Sequence, residues 1–131
     1  MTEQPKILIV DDSVDTVDLL NKRLSFEGYR TLSAYNGQEA LKQAAEHNPD
    51  LIVLDVMMPD MDGYEVCERL KASKNTRYIP ILMLTAVKDK TGLDFKATAG
   101  DDAWLPVEEF LDKPVKPDVL LEKVASLIPK S

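Results

Sequence analysis

Residues 50–63 read Asp50-Leu51-Ile52-Val53-Leu54-Asp55-Val56-Met57-Met58-Pro59-Asp60-Met61-Asp62-Gly63. The first part is a run of four aliphatic residues held between two aspartates. A run this short, with β-branched residues inside it, suits a strand buried on both faces, as in a parallel sheet covered by helices. The second part breaks that regularity with Pro59 and ends in Asp62-Gly63-Tyr64-Glu65. That ending can start a helix carrying Val66 and Leu70.

Two more runs of the same kind flank this stretch. Ile7-Leu8-Ile9-Val10 lies before it and Ile79-Pro80-Ile81-Leu82-Met83-Leu84 after it. Thr31-Leu32-Ser33-Ala34 is half polar and Phe110-Leu111 is short, so both are expected at sheet edges. Helical patterns separate the runs. Ser13 can cap a first helix with Asp15 in its opening turn, Val17, Leu20 and Leu24 on one face, and Gly28 at its stop. Asn36-Gly37-Gln38-Glu39 has capping-box spacing ahead of Ala40, Leu41, Ala44 and Ala45, and Asn48-Pro49 should end that helix. Pro117 suits a first helical turn ahead of Leu120, Val124, Leu127 and Ile128.

Strands alternating with helices imply an α/β fold with a parallel sheet, right-handed crossovers and helices on both faces. The three strong runs belong in the middle. The flavodoxin-like, doubly wound five-stranded order 2-1-3-4-5 puts strands 1, 3 and 4 inside and 2 and 5 outside.

The 131 residues amount to about one domain, long enough to bury a core without staples. Sixteen Lys+Arg against 23 Asp+Glu give a net charge of −7, which disfavours binding to nucleic acid or phospholipid headgroups. Cys67 is the single cysteine, so no intrachain disulfide forms. No apolar run approaches a membrane span and the amino-terminal residues lack signal-peptide architecture, so a cytoplasmic protein is expected.

The residues following the apolar runs carry the chemistry. Asp11 and Asp12 follow the first, Asp55 the third, Thr85 and Ala86 the fourth, and Asp112, Lys113 and Pro114 the fifth. Open α/β sheets bind ligands at the carboxyl ends of their strands, where the topology switches. Three carboxylates should therefore meet there, with a hydroxyl and an ammonium nearby. Clustered carboxylates must share a proton or a cation. Magnesium fits an all-oxygen site of this kind, because it uses few carboxylates and leaves room for a phosphate oxygen. A carboxylate, a hard cation, a lysine and a hydroxyl around one point suit phosphoryl transfer onto the carboxylate.

On these residues the chain resembles a response-regulator receiver domain, the phosphoacceptor module of two-component signalling. The matching stretches are Ile7 to Asp12, Asp50 to Gly63, Leu84-Thr85-Ala86 and Lys113-Pro114, in order, each at the end of its strand. The resemblance implies a single receiver domain over residues 1–131, with a core from about 6 to 128. It implies that Asp55 accepts a phosphoryl group from a sensor histidine kinase or a histidine phosphotransfer protein. Asp11, Asp12, Asp55 and the backbone carbonyl of Met57 would hold Mg2+. Lys113, Thr85 and Ala86 would contact the phosphoryl group, and Thr85 and Phe110 would act as the switch. Lys113-Pro114 matches a peptide bond that is usually cis in the family.

The expected output is a changed contact with a downstream protein partner or a fused output domain, with no direct binding to nucleic acid or membrane. Both a stand-alone receiver and a segment of a longer protein fit. The domain would catalyse only its own phosphorylation and dephosphorylation, which is not turnover of a separate substrate. Two rival functions are a degenerate receiver acting as a phosphorylation-independent interaction module, and a phosphohydrolase with an aspartate nucleophile. The first should lose an acidic or lysine position, and none is lost. The second needs an acid two residues after the nucleophile, where Met57 stands.

Other candidates have plainer readings. Cys67 reads as a small helix residue and His47 as a helix-end residue, not a phosphodonor. The interval from Thr85 to Lys113 exceeds the family's by more than a helical turn. Gly92 and Gly100 interrupt it, and Leu93, Phe95, Ala97 and Ala99 alternate where a helix would repeat. A short or irregular helix between Val87 and Glu109 is therefore expected, followed by a loop pinned by Trp104 and Leu105.

Overall fold

The computed structural model describes residues 4–59, 61–86, 109–113 and 115–128, of which 86, 109, 112 and 113 are described by their backbone. The strands are β1 (Lys6–Val10), β2 (Arg30–Ala34), β3 (Leu51–Asp55), β4 (Ile81–Ala86) and β5 (Glu109–Lys113). The helices among the described residues are α1 (Val14–Phe26), α2 (Gly37–His47), α3 (Gly63–Ala72) and α4 (Pro117–Leu127). All strand pairings are parallel and the order is β2-β1-β3-β4-β5, as expected from the apolar runs.

Each central strand serves two cores at once. Leu8, Val10, Ile52, Leu54, Ile81 and Met83 point to one face and meet Ala40, Ala44, Val66, Cys67 and Leu70 of α2 and α3. Ile7, Ile9, Leu51, Val53, Leu82 and Leu84 point to the other and meet Val17, Leu20, Leu24, Leu120 and Val124 of α1 and α4. The period of two is intact, but both faces are dry, so it shows as continuous hydrophobicity.

Local chemistry sets the helix starts. Ser13 Oγ accepts from Thr16 N at 3.2 Å, Asn36 Oδ1 from Glu39 N at 2.8 Å, and Asp62 Oδ1 from Glu65 N at 2.9 Å. The return arm of the box at α2 goes one residue further out than a standard one. Glu39 Oε1 accepts from Tyr35 N, at 2.8 Å. Asn48 ends α2 in the left-handed region at φ 47°, and Pro49 follows it. α4 has no side-chain cap and begins on Pro117, whose missing N–H removes one orphan donor.

Several strand boundaries differ from expectation. Ile79 precedes β4, and the strand runs on through Thr85 and Ala86. The ladder with β5 explains this, since Thr85 pairs with Asp112 and Ala86 with Lys113. Asp55 is likewise the last residue of β3, opposite Leu84. The pole away from these ends is tied by Lys6. Its N–H donates to Asp50 Oδ2 at 2.8 Å, its carbonyl accepts from Asp50 N at 2.7 Å, and its ammonium donates to the His47 carbonyl at 2.6 Å. The helix expected between Val87 and Glu109, the Trp104–Leu105 anchor and the Lys113-Pro114 bond fall outside the described residues.

Replacing Asn36 with Ala should cost about 1 kcal/mol by leaving Glu39 N without its side-chain acceptor. Urea unfolding should show a lower midpoint at an unchanged slope.

Candidate functional site

β1 and β3 are neighbours in register, with Val10 opposite Leu54. The next residue of each strand is an aspartate, so register alone places Asp11 beside Asp55. Asp12 completes the group, and one carboxylate oxygen from each of the three lies within 4.8 Å of the others. Asp11 and Asp55 are buried, at 0% and 1% exposure, whereas Asp12 is exposed. Two carboxylates about 5 Å apart at an effective dielectric near 20 repel by roughly 3 kcal/mol. A cluster this tight needs compensation.

Part of it comes from the backbone. Asp11 Oδ1 accepts from Ser13 N at 2.9 Å, and Asp55 Oδ1 accepts from Met57 N at 3.3 Å. Ser13 thus has two tasks, its amide holding Asp11 and its hydroxyl capping α1. These donors offset charge without neutralising it. All the side-chain donors of the trio are hard oxygens, and one is open to solvent. That set fits a divalent cation of the magnesium type.

The remaining candidates take their places by strand order. Thr85 is buried and stands on β4, one residue beyond Leu84, the partner of Asp55. Ala86 and Lys113 are paired at the ends of β4 and β5, so the backbone brings Lys113 to the same carboxyl edge as the acids. Phe110 is partly buried against the α2–α3 face core, consistent with its reading as a core aromatic. Met57 projects outward, 61% exposed, immediately after Asp55 and Val56. Cys67 is buried in the α3 packing and His47 ends α2, and neither joins the acidic group.

Gly63 has a role that the sequence reading assigned only to helix initiation. Its N–H donates to the Val56 carbonyl at 2.9 Å, closing the loop that follows Asp55. A Cβ there would stand 2.5 Å from the Asp55 carbonyl oxygen and 2.9 Å from Val56 Cα. The start of α3 therefore rests directly on the end of β3. The Asp62-Gly63 pair was the available signal, since glycine at a helix start marks close backbone approach as well as a turn.

A doubly wound parallel sheet with an acidic trio at its topological switch point is the architecture of receiver-type signalling domains. The chain belongs to the response regulator receiver domain family, whose family model matches residues 7–125. It is 42% identical over 126 residues to the alkaline phosphatase synthesis transcriptional regulatory protein PhoP of Bacillus subtilis. That match covers 96% of this chain and 49% of PhoP. The response regulator PleD of Caulobacter vibrioides is 40% identical over 93% of this chain and 26% of its own length. The chain thus spans half or less of these curated relatives. Among solved structures, the Vibrio cholerae chemotaxis protein CheY4 superposes with a TM-score of 0.82 at 30% identity, covering 95% of this chain and 99% of CheY4. A putative response regulator from Chloroflexus aurantiacus gives 0.82 at 34% identity, with coverages of 95% and 97%. These likenesses establish a receiver domain of two-component signalling. No helix among the described residues is long and apolar enough to cross a membrane.

Gly63→Ala should be strongly destabilising, by about 1–3 kcal/mol or more, because the clash is with backbone that cannot rotate away. Thermal unfolding of the variant beside the parent protein measures it.

Proposed function

We propose that the domain is a phosphorylation-activated switch with Asp55 as phosphoacceptor. The observation that carries this is the convergence of Asp11, Asp12 and Asp55 at the carboxyl ends of β1 and β3, with Asp55 buried and its Oδ1 held by Met57 N. The donor is a phosphohistidine of a sensor kinase or phosphotransfer protein. A carboxylate oxygen of Asp55 attacks phosphorus, the phosphorus–nitrogen bond breaks, and the departing imidazole takes up a proton. The product is an acyl phosphate on Asp55 and a neutral histidine on the donor.

Asp11, Asp12, Asp55 and the Met57 carbonyl would hold Mg2+, which when bound supplies positive charge beside the transferring oxygens. Lys113 supplies a further positive charge, and the Thr85 hydroxyl and Ala86 amide supply hydrogen bonds to the phosphoryl oxygens. Thr85 moving toward the new anion would leave space that the ring of Phe110 follows. That movement carries the state of Asp55 to the surface near β5, where a downstream protein or fused output domain reads it. The proposed setting is cytoplasmic, in one domain over residues 1–131, and no separate substrate is turned over. The phosphohydrolase alternative lacks its second acid, because an exposed methionine stands at position 57. The degenerate-receiver alternative is disfavoured because Asp11, Asp12, Asp55 and Lys113 are all retained.

Incubation with Mg2+ and phosphoramidate, followed by intact mass, should show one added phosphoryl group. Asp55→Asn should abolish it with the fold unchanged and, with carboxylate repulsion relieved, should unfold at a higher temperature in chelator. Stoichiometric labelling of the Asn variant would overturn the assignment.

The phosphorylated state should be long-lived. Hydrolysis requires a water in line with the Asp55–phosphorus bond, and the family resemblance puts Met57 and Val87 beside that approach, where neither orients a water. The double substitution Met57→Asn, Val87→Glu should speed decay of the phosphoprotein about tenfold or more, a typical gain from a positioned polar group. Decay at the parent rate would count against this account.

A further inference from the structure

Gly37 opens α2 and is buried, and its backbone makes no demand for glycine, because Gly28 is the glycine with positive φ among the described residues. Helix propensity at such a position favours alanine. The obstacle lies across a gap, in the loop that follows Asp55. A Cβ on residue 37 would stand 2.7 Å from Met61 Sδ, 2.9 Å from Met61 Cβ and 3.0 Å from Met61 Cγ. The sulfur end could swing into the neighbouring open cavity lined by Asn36, Gly37, Gln38 and Met61. The Met61 Cβ has no such freedom, since it moves only with the loop backbone.

That loop is short and tied at several points. Met61 N donates to the Pro59 carbonyl at 2.7 Å, Gly63 N to the Val56 carbonyl at 2.9 Å, and Met57 N to Asp55 Oδ1 at 3.3 Å. Val56 and Met58 are anchored in the core, with exposures of 4% and 7%. A displacement imposed at Met61 is passed through its hydrogen bond to Pro59 and the anchored Met58 to Met57.

From this we infer that the Gly37–Met61 contact is a positioning device for the phosphoacceptor. The first turn of α2 sets how close the loop can come, and so where the Met57 N–H and carbonyl stand against Asp55. Its kinetic consequence rests on the phosphoacceptor reading above, and its structural consequence does not. Neither residue touches the reacting atoms, and both act through Met57.

The test compares Gly37→Ala, Met61→Gly and the double variant, because an alanine at 61 would keep the Cβ that stands 2.9 Å from the new methyl. It reads the Met57 amide resonance in 15N-labelled protein, the rate of phosphorylation by phosphoramidate with Mg2+, and thermal unfolding. Gly37→Ala should shift the Met57 amide and slow phosphorylation about tenfold, the scale expected of a sub-ångström misplacement. The double variant should return the amide toward its parent position and the rate to within about threefold, because the new methyl then meets no Met61 side chain. An unmoved amide in Gly37→Ala, or a double variant as slow and as displaced as Gly37→Ala, would overturn the inference. Should Gly37→Ala fail to fold, Met61→Gly alone decides. Loss of the loop's support should shift the Met57 amide and slow phosphorylation several-fold, and parent values in both would overturn it. If the parent protein accepts no phosphoryl group, the phosphoacceptor reading fails, while the amide comparison still tests the contact.

Discussion

Asp11 and Asp55 are forced together by strand register, and much of the molecule follows from managing the repulsion between them. Neither can move away, because each is continuous with a strand whose other residues are buried on both faces. Their charges are met by amides from the turns that follow, Ser13 for Asp11 and Met57 for Asp55. The Ser13 turn also begins α1, and the loop after Asp55 leads on to the start of α3 at Gly63. The loop after β3 is consequently built tightly, with Gly63 resting on the Asp55 carbonyl. If the proposed phosphoryl transfer takes place here, such rigidity lowers the reorganisation it requires.

Among the described residues, the sheet separates two cores, one on each of its faces. The α2–α3 face contains Phe110 and the packing of the loop after Asp55, through Val56, Met58 and Met61. The α1–α4 face contains Leu84 and Leu111, the strand neighbours of Thr85 and Phe110. A change at the ends of β4 and β5 is therefore felt on both faces.

The sequence showed most where the determinants are local. Ser13, Asn36 and Asp62 announce helix starts because their capping chemistry needs only the next three residues, and Pro117 does so because its missing N–H suits a first turn. The doubly buried strands were legible because aliphatic runs this short, rich in β-branched residues and bounded by turn formers, favour strand over buried helix. The acids could be grouped because strand order and the switch-point rule together say which strand ends are neighbours. What was not legible depends on partners far along the chain. β4 extends through Thr85 and Ala86 because β5 pairs with them, and nothing near residue 85 signals that. The use of Ser13 N and Met57 N as donors to the acids is a property of turn geometry, and residue type does not reveal it. Gly37 was read as part of a helix cap, whereas its real neighbour is Met61 on another loop.

The Lys6 clamp at the opposite pole has a consequence for the acids that it never touches. By bonding Asp50 through both its N–H and its carbonyl, and the end of α2 through its ammonium, Lys6 fixes the longitudinal offset between β1 and β3. A slip of one residue would travel about 3.3 Å and turn every side chain of β1 to the wrong core. The spacing of Asp11 and Asp55 is thus quantised. Their backbones can hold the native offset or one that turns the β1 side chains to the wrong faces. The strand ends that carry the acids cannot slide apart to relieve their charge, so relief must come from the groups around the carboxylates.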